Sequence, residues 1–241
     1  MTTPFDLSGK IALVTGASGG LGRHFAGVLA GAGARVAVCA RRMDKVTETV
    51  AGIESAGGRA FGVEMDVTDK ASVIAAFDVI EEQAGPVTVL INNAGITASN
   101  LALEMSEDDW DRVLDTNLKG AWTVAQQAAR QMAKRGGGTI LLTGASASVK
   151  GYPNSSSFAM GKFAQRGLAE SMARELHPQG IHVAWVNIDG AILNPGRSEP
   201  DEAPSSMLRP EAIARSYRHL IEQDRSAWSH ELSLRPWVER F

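Results

Sequence analysis

From Lys10 onward, short apolar runs rich in β-branched residues alternate with longer segments of helical period, the pattern of repeated βα units around a parallel sheet. The runs are IALVTG (11–16), ARVAVCA (34–40), RAFGVEMDV (59–67), VTVLINNAG (87–95), GTILLTGAS (138–146) and IHVAWVNI (181–188). Between them residues 21–30, 43–56, 69–84, 106–135 and 157–177 read as helices, with starts at Asp69 and Ser106 and stops at Gly33, Gly57 and Pro178. Right-handed crossovers put such helices on both faces of the sheet and leave a ligand crevice at the carboxyl ends of the strands.

The segment 190–210 breaks this rhythm with Pro195, Pro200, Pro204 and Pro210 among polar residues, and reads as a lid over the crevice or as a surface insertion. A short helix over 211–223 and a last strand in the alternating tail WSHELSLRPWVERF follow. At 241 residues the chain reads as one domain, 1–241. A net charge of −3 offers no general attraction to nucleic acid or an anionic membrane. The lone Cys39 excludes a disulfide framework and suits a reducing compartment, and the N-terminus lacks a basic segment followed by an apolar run. A cytoplasmic protein without nucleic-acid or membrane partners is expected.

Directly after the first run, TGASGGLG (15–22) places Gly16, Gly20 and Gly22 before a helix of small and apolar residues. Glycine allows a tight turn and close approach of backbone to a pyrophosphate, while free N–H groups and the helix dipole stabilise its charge. The spacing is Gly-x-x-x-Gly-x-Gly, and the same stretch also satisfies the Gly-x-Ser-x-Gly elbow of a hydrolase through Ser18, with His230 as a late histidine. That second reading is weak, because no earlier strand-to-helix loop exists to supply an oxyanion hole.

TGASGGLG, Asp66-Val67, NNAG (92–95) and Asn117 fall in the order and spacing of the short-chain dehydrogenase/reductases, which the chain resembles over essentially its whole length. The resemblance implies one doubly wound α/β domain of Rossmann type, with a seven-stranded parallel sheet in the order 3-2-1-4-5-6-7, an NAD(P) cofactor, and a homodimer or homotetramer. It assigns Gly16, Ser18, Gly20, Leu21 and Gly22 to the cofactor turn, and Asp66 and Val67 to the adenine. Asn93, Ala94 and Gly95 then border the adenosine ribose, Lys162 binds the nicotinamide ribose, and Ile192 meets the carboxamide.

An acid at the end of the second strand accepts from the ribose 2′-hydroxyl in NAD-binding folds, whereas an arginine there pairs with a 2′-phosphate. This strand ends Cys39-Ala40-Arg41-Arg42, so NADP(H) is expected over NAD(H), although both arginines also suit a solvated helix start.

Members of the family pass a proton through a tyrosine whose pKa a lysine lowers; a serine polarises the carbonyl and an asparagine holds a water behind the lysine. The usual Tyr-x-x-x-Lys reads Phe158-Ala159-Met160-Gly161-Lys162 here. The catalytic group therefore reads as Asn117, Ser146, Phe158 and Lys162, with the tyrosine missing and the serine one residue later than usual. Asp189-Gly190 stands where the family normally has Pro-Gly. From Thr143 onward the chain resembles a branch of the family that carries phenylalanine at this position and ends in a tail like LRPWVERF.

Loss of a positioned acid typically costs about 10²- to 10⁴-fold in rate. Lys162 through a water, or Tyr152 on the preceding loop, remains as a proton source, and Tyr152 also suits a packing role beside Pro153. The five histidines show no metal-ligand spacing, so no metal is assigned. Residues 121–132 and 158–176 are apolar on more than one face, and in the family the corresponding helices pair two subunits. The expectation is an NADP(H)-preferring oxidoreductase acting on a small carbonyl or alcohol compound. Its rival is a protein that holds the cofactor as a sensor or partner subunit.

Overall fold

In the computed structural model, which describes residues 6–194 and 196–238, the strands are β1 (Ile11–Thr15), β2 (Arg35–Ala40), β3 (Arg59–Glu64), β4 (Val89–Asn92), β5 (Gly138–Thr143), β6 (Ile181–Ile188), β7 (Ala191–Ile192), β8 (Met207–Leu208) and β9 (Glu231–Leu234). The helices are α1 (Gly20–Gly31), α2 (Met43–Ser55), α3 (Lys70–Ala84), α4 (Glu107–Leu114), α5 (Ala121–Ala133), α6 (Ser156–Leu176) and α7 (Pro210–Glu222). All strands but β7 and β8 form one parallel sheet in the order β3-β2-β1-β4-β5-β6-β9. This is the expected α/β arrangement, with the strand from the tail in seventh place.

Every residue of β1, β4 and β6 is buried, as strands covered on both faces must be. Their side chains divide by the two-residue period of a strand. Ala12, Val14 and Ile91 join Phe25, Leu29 and Tyr217 on one face, while Leu13 and Leu90 join Phe77, Ile80 and Trp185 on the other. Each large side chain so buried contributes about 1.5–3 kcal/mol.

The helix starts at Asp69 and Ser106 hold for the expected reason: Asp69 accepts from Ala71 N at 2.9 Å and Ser106 from Asp109 N at 3.1 Å. The helix expected over 106–135 is instead α4 and α5 joined by a π-helical turn, Asp115–Gly120, that contains Asn117. Four strands also end sooner than expected: β1, β3, β4 and β5 stop at Thr15, Glu64, Asn92 and Thr143. The small and polar residues after each leave the sheet as loops along its carboxyl edge. Within 190–210, β7 and β8 pair in parallel, so this segment carries a small sheet of its own.

Candidate functional site

The glycine turn after β1 needs its glycines. Gly16 and Gly20 have φ of +64° and +51°, and a Cβ on Gly22 would fall 2.4 Å from the Gly16 carbonyl oxygen. Gly19 caps α1 without a side-chain hydrogen bond, and a Cβ on Gly19 or Gly20 would meet nothing within 4 Å. The start of α1 at Gly19 and Gly20 thus lines open space, and a helix N-terminus there suits an anion.

Thr15 ties this turn to the end of β4. Its hydroxyl accepts from Asn93 N and Ala94 N, both at 2.9 Å, and donates to Asn92 Oδ1 at 3.4 Å. Asn93 Nδ2 donates to the Thr15 carbonyl at 3.1 Å. The sequence reading missed Thr15, whose only signal was a hydroxyl on the last strand residue before the first glycine.

The turn, Ala40, Arg41, Asp66 and Ala94 line a cavity of about 340 Å³. Arg42 Nη2 donates to Ser18 Oγ at 3.2 Å, and Arg41 Nη1 lies 3.9 Å from Asp66 Oδ2. Asp66 Oδ1 accepts from the amide and hydroxyl of Thr68 at 2.9 and 2.8 Å, which shapes the bend at Val67 on the cavity wall. Two cations at the end of β2, no acid at Ala40 and an open glycine cradle fit an adenine dinucleotide, including one with a 2′-phosphate.

An adjoining cavity of about 940 Å³ is bordered by Leu21, Ser146, Tyr152, Phe158, Lys162 and Ile192, among others. Phe158 and Lys162, four residues apart on α6, both line it. Lys162 is buried and donates from Nζ to the Thr143 carbonyl at 2.7 Å and to Gln165 Oε1 at 3.2 Å. Burial lowers its pKa to about 8. Asn117 is fully buried and pairs twice with Ile96, accepting from its N–H at 2.9 Å and donating to its carbonyl at 2.8 Å. That pairing fixes the π-helical turn to the loop after β4. A Cβ on Gly95 would lie 3.2 Å from Asn117 Oδ1 and 3.6 Å from Lys162 Nζ, so the three positions converge.

The chain has two tyrosines. Tyr217 is enclosed in the core against Phe25 and donates to Thr143 Oγ1 at 2.9 Å; burial raises its phenol far above the ordinary value. Tyr152 is half exposed and lines the larger cavity. Ser148 is fully buried and accepts from Ala145 N at 3.2 Å, which leaves Ser146 as the cavity-facing hydroxyl of that turn. Gln165 and Thr143, the partners of Lys162, were not legible beforehand.

Ser18 partners Arg42, and the carbonyl of His230 accepts from Trp185 N beside β9, outside both cavities, so the hydrolase arrangement is not assembled. Among the described residues no three His, Cys, Asp or Glu side chains cluster to hold a metal, and no helix is long and apolar enough to cross a membrane.

A sequence model described as short chain dehydrogenase matches residues 10–194. The chain is 37% identical over 207 residues to 3-oxoacyl-[acyl-carrier-protein] reductase FabG of Staphylococcus aureus, covering 86% of this chain and 84% of that protein. It superposes with a TM-score of 0.87 and 33% identity on a short-chain type dehydrogenase/reductase from Mycobacterium marinum, over 97% and 96% of the two chains. An alcohol dehydrogenase from Thermococcus sibiricus complexed with 5-hydroxy-NADP matches with a TM-score of 0.86 and 26% identity, over 96% and 98% of the two chains. The chain belongs to the short-chain dehydrogenase family of NAD(P)-dependent oxidoreductases.

Proposed function

We propose that the protein is an NADP(H)-preferring oxidoreductase acting on a small carbonyl or alcohol compound through an altered catalytic group. The observation that carries this reading is the convergence of Lys162, Asn117 and Gly95 beside an open glycine cradle. When bound, the nicotinamide supplies or accepts a hydride. Arg42 with Ser18, and Arg41, receive the 2′-phosphate; Asp66 and Val67 border the adenine; Asn93, Ala94 and Gly95 border the adenosine ribose. Leu21 and Ile192 confine the nicotinamide end.

At the reacting end Ser146 donates a hydrogen bond to the substrate oxygen, and Lys162 holds the proton at Nζ that the missing tyrosine would otherwise deliver. A lysine near pKa 8 is charged at neutral pH and suited to proton donation. Asn117 fixes the loop behind it. The segment 190–210 closes over the substrate. The protein works in the cytoplasm, where its buried thiol Cys39 stays reduced, and forms homodimers or tetramers through α5 and α6, on which Trp122, Met160 and Phe163 are exposed.

The test is NADPH consumption over a panel of ketones, aldehydes and quinones by the native protein and by Phe158→Tyr. Slow native turnover that rises about 10²- to 10⁴-fold in the variant is expected. Phe158 also supports a second reading, a protein that holds NADP(H) without turnover; it would show tight NADPH binding with activity only in the tyrosine variant. Failure of NADPH to bind overturns both.

A further inference from the structure

The larger cavity is lined by Arg112, Lys162 and Arg197 and, among the described residues, by no aspartate or glutamate. This is a local reversal in a chain of net charge −3. The three cations come from different parts of the fold: α4, α6 and the loop after β7. Lys162 is buried and committed to Thr143 and Gln165. Arg112 and Arg197 are more exposed, and Arg41 and Arg42 line the other cavity, so the site proposed for a 2′-phosphate does not account for them.

Arg112 pairs with Asp109, which also accepts from Asn100 at 2.8 Å; these hydrogen bonds hold the Asp109 carboxyl below its ordinary pKa. Asp109 therefore stays ionised, offsets part of the charge on Arg112 and orients its guanidinium. Arg197 has no ion pair among the described residues. Its backbone is placed by a bridge to Asn194, with Arg197 N donating to the Asn194 carbonyl at 2.9 Å. A guanidinium presents a fork that matches a carboxylate, and Phe158 and Ile188 add apolar lining to the cavity of about 940 Å³ that Arg197 and Lys162 both border.

We propose that the substrate carries a carboxylate at the end remote from its reacting carbon, held by Arg197, with Arg112 adding positive charge to the same cavity. The inference rests on the oxidoreductase reading of the same site. Its test is binding to the NADP⁺-loaded protein, followed by calorimetry, of 4-oxopentanoate and 6-oxoheptanoate against the neutral ketones 2-pentanone and 2-heptanone. The oxo acids should bind about tenfold tighter or more, and Arg197→Gln should remove that preference while leaving the neutral ketones and NADPH unaffected. Arg197→Lys should keep part of it.

Equal binding of acids and ketones, no oxo-acid binding at all, or an equal loss of both classes in Arg197→Gln overturns the carboxylate assignment. NADPH affinity, followed separately by fluorescence, distinguishes the two readings. If NADPH does not bind, the oxidoreductase reading has failed; if NADPH binds and the acid preference is absent, only the carboxylate assignment has failed.

Discussion

Lys162 of α6 is anchored to Thr143, the last residue of β5, by a 2.7 Å hydrogen bond from Nζ to the main-chain carbonyl. The anchor holds an ammonium group where water hardly reaches it, and its pKa falls from the ordinary 10.5 to about 8 because burial disfavours the charge. Below pH 8 the folded and unfolded chains both carry this proton, and the folded state bears the full cost of burying it. Between about pH 8 and 10.5 the unfolded chain binds more protons, so this group's contribution to stability rises with pH by up to about 3 kcal/mol. Lys162→Met removes that increment. Urea midpoints of the two proteins measured across this range should diverge; parallel profiles would refute the burial account.

Thr143 is held from both sides, since its hydroxyl accepts from the enclosed Tyr217 at 2.9 Å. Thr143→Val strands the Tyr217 hydroxyl in the core and should cost about 1–3 kcal/mol. Adding Tyr217→Phe removes the stranded group, so the double variant should recover much of that loss. A double-mutant cycle by urea denaturation with no coupling between the two positions would count against the bond.

The glycine turn and the strands were legible because each answers to a local requirement, whereas the strand order and the roles expected of Asp66, Asn93 and Lys162 came with the family resemblance. The tight turn excludes side chains at Gly16, where φ is positive and a Cβ would lie 3.0 Å from Ala94 Cα, and at Gly22, where it would meet the Gly16 carbonyl; buried parallel strands demand continuous apolar runs. Thr15, Thr143 and Gln165 were not legible, because their roles depend on partners that only the fold supplies: the β4 end, Tyr217 and Lys162. The π-helical turn was hidden for the same reason. Its pattern in sequence is that of a plain helix, and the two hydrogen bonds between Asn117 and Ile96 that tie it to the loop after β4 form only in the fold.

Cofactor choice should turn on Ala40 and Arg42. Ala40→Asp puts a carboxylate at the end of β2, and Arg42→Gln removes the cation that reaches Ser18 at 3.2 Å. The pair of changes should weaken NADPH by about tenfold to a hundredfold and improve NADH, since a carboxylate repels the 2′-phosphate and accepts from a 2′-hydroxyl. Fluorescence titration with both nucleotides measures the ratio, and an unchanged ratio would place the 2′-position elsewhere.

Trp122 on α5 and Met160 and Phe163 on α6 are 41%, 40% and 46% exposed, a large apolar outlay for a free surface. Pairing through these helices predicts a dimer or tetramer by light scattering. Phe163→Glu should shift that assembly toward monomer through burial of an unpaired charge. A monomer at micromolar concentration in the native protein would sink the assignment.

Asp189 has a side chain only 4% exposed, and its carboxylate lies 3.4 Å from both Lys150 Nζ and Arg235 Nη2. Its amide donates to the Leu234 carbonyl at 2.7 Å, and a Cβ on Gly190 would fall 2.9 Å from Pro236 Cδ, so the tail presses directly on this corner. The acid thus links the loop after Ser146, the end of β6 and the chain beyond β9. Asp189→Asn keeps the shape and removes the charge. Because Lys150 is about half exposed and water compensates it in part, the loss should lie near the lower end of about 1–3 kcal/mol. The change should also quicken hydrogen exchange at the Asp189 amide, which donates to the Leu234 carbonyl at 2.7 Å in the native protein. Unaltered stability and exchange together would show that the backbone contacts alone hold the tail.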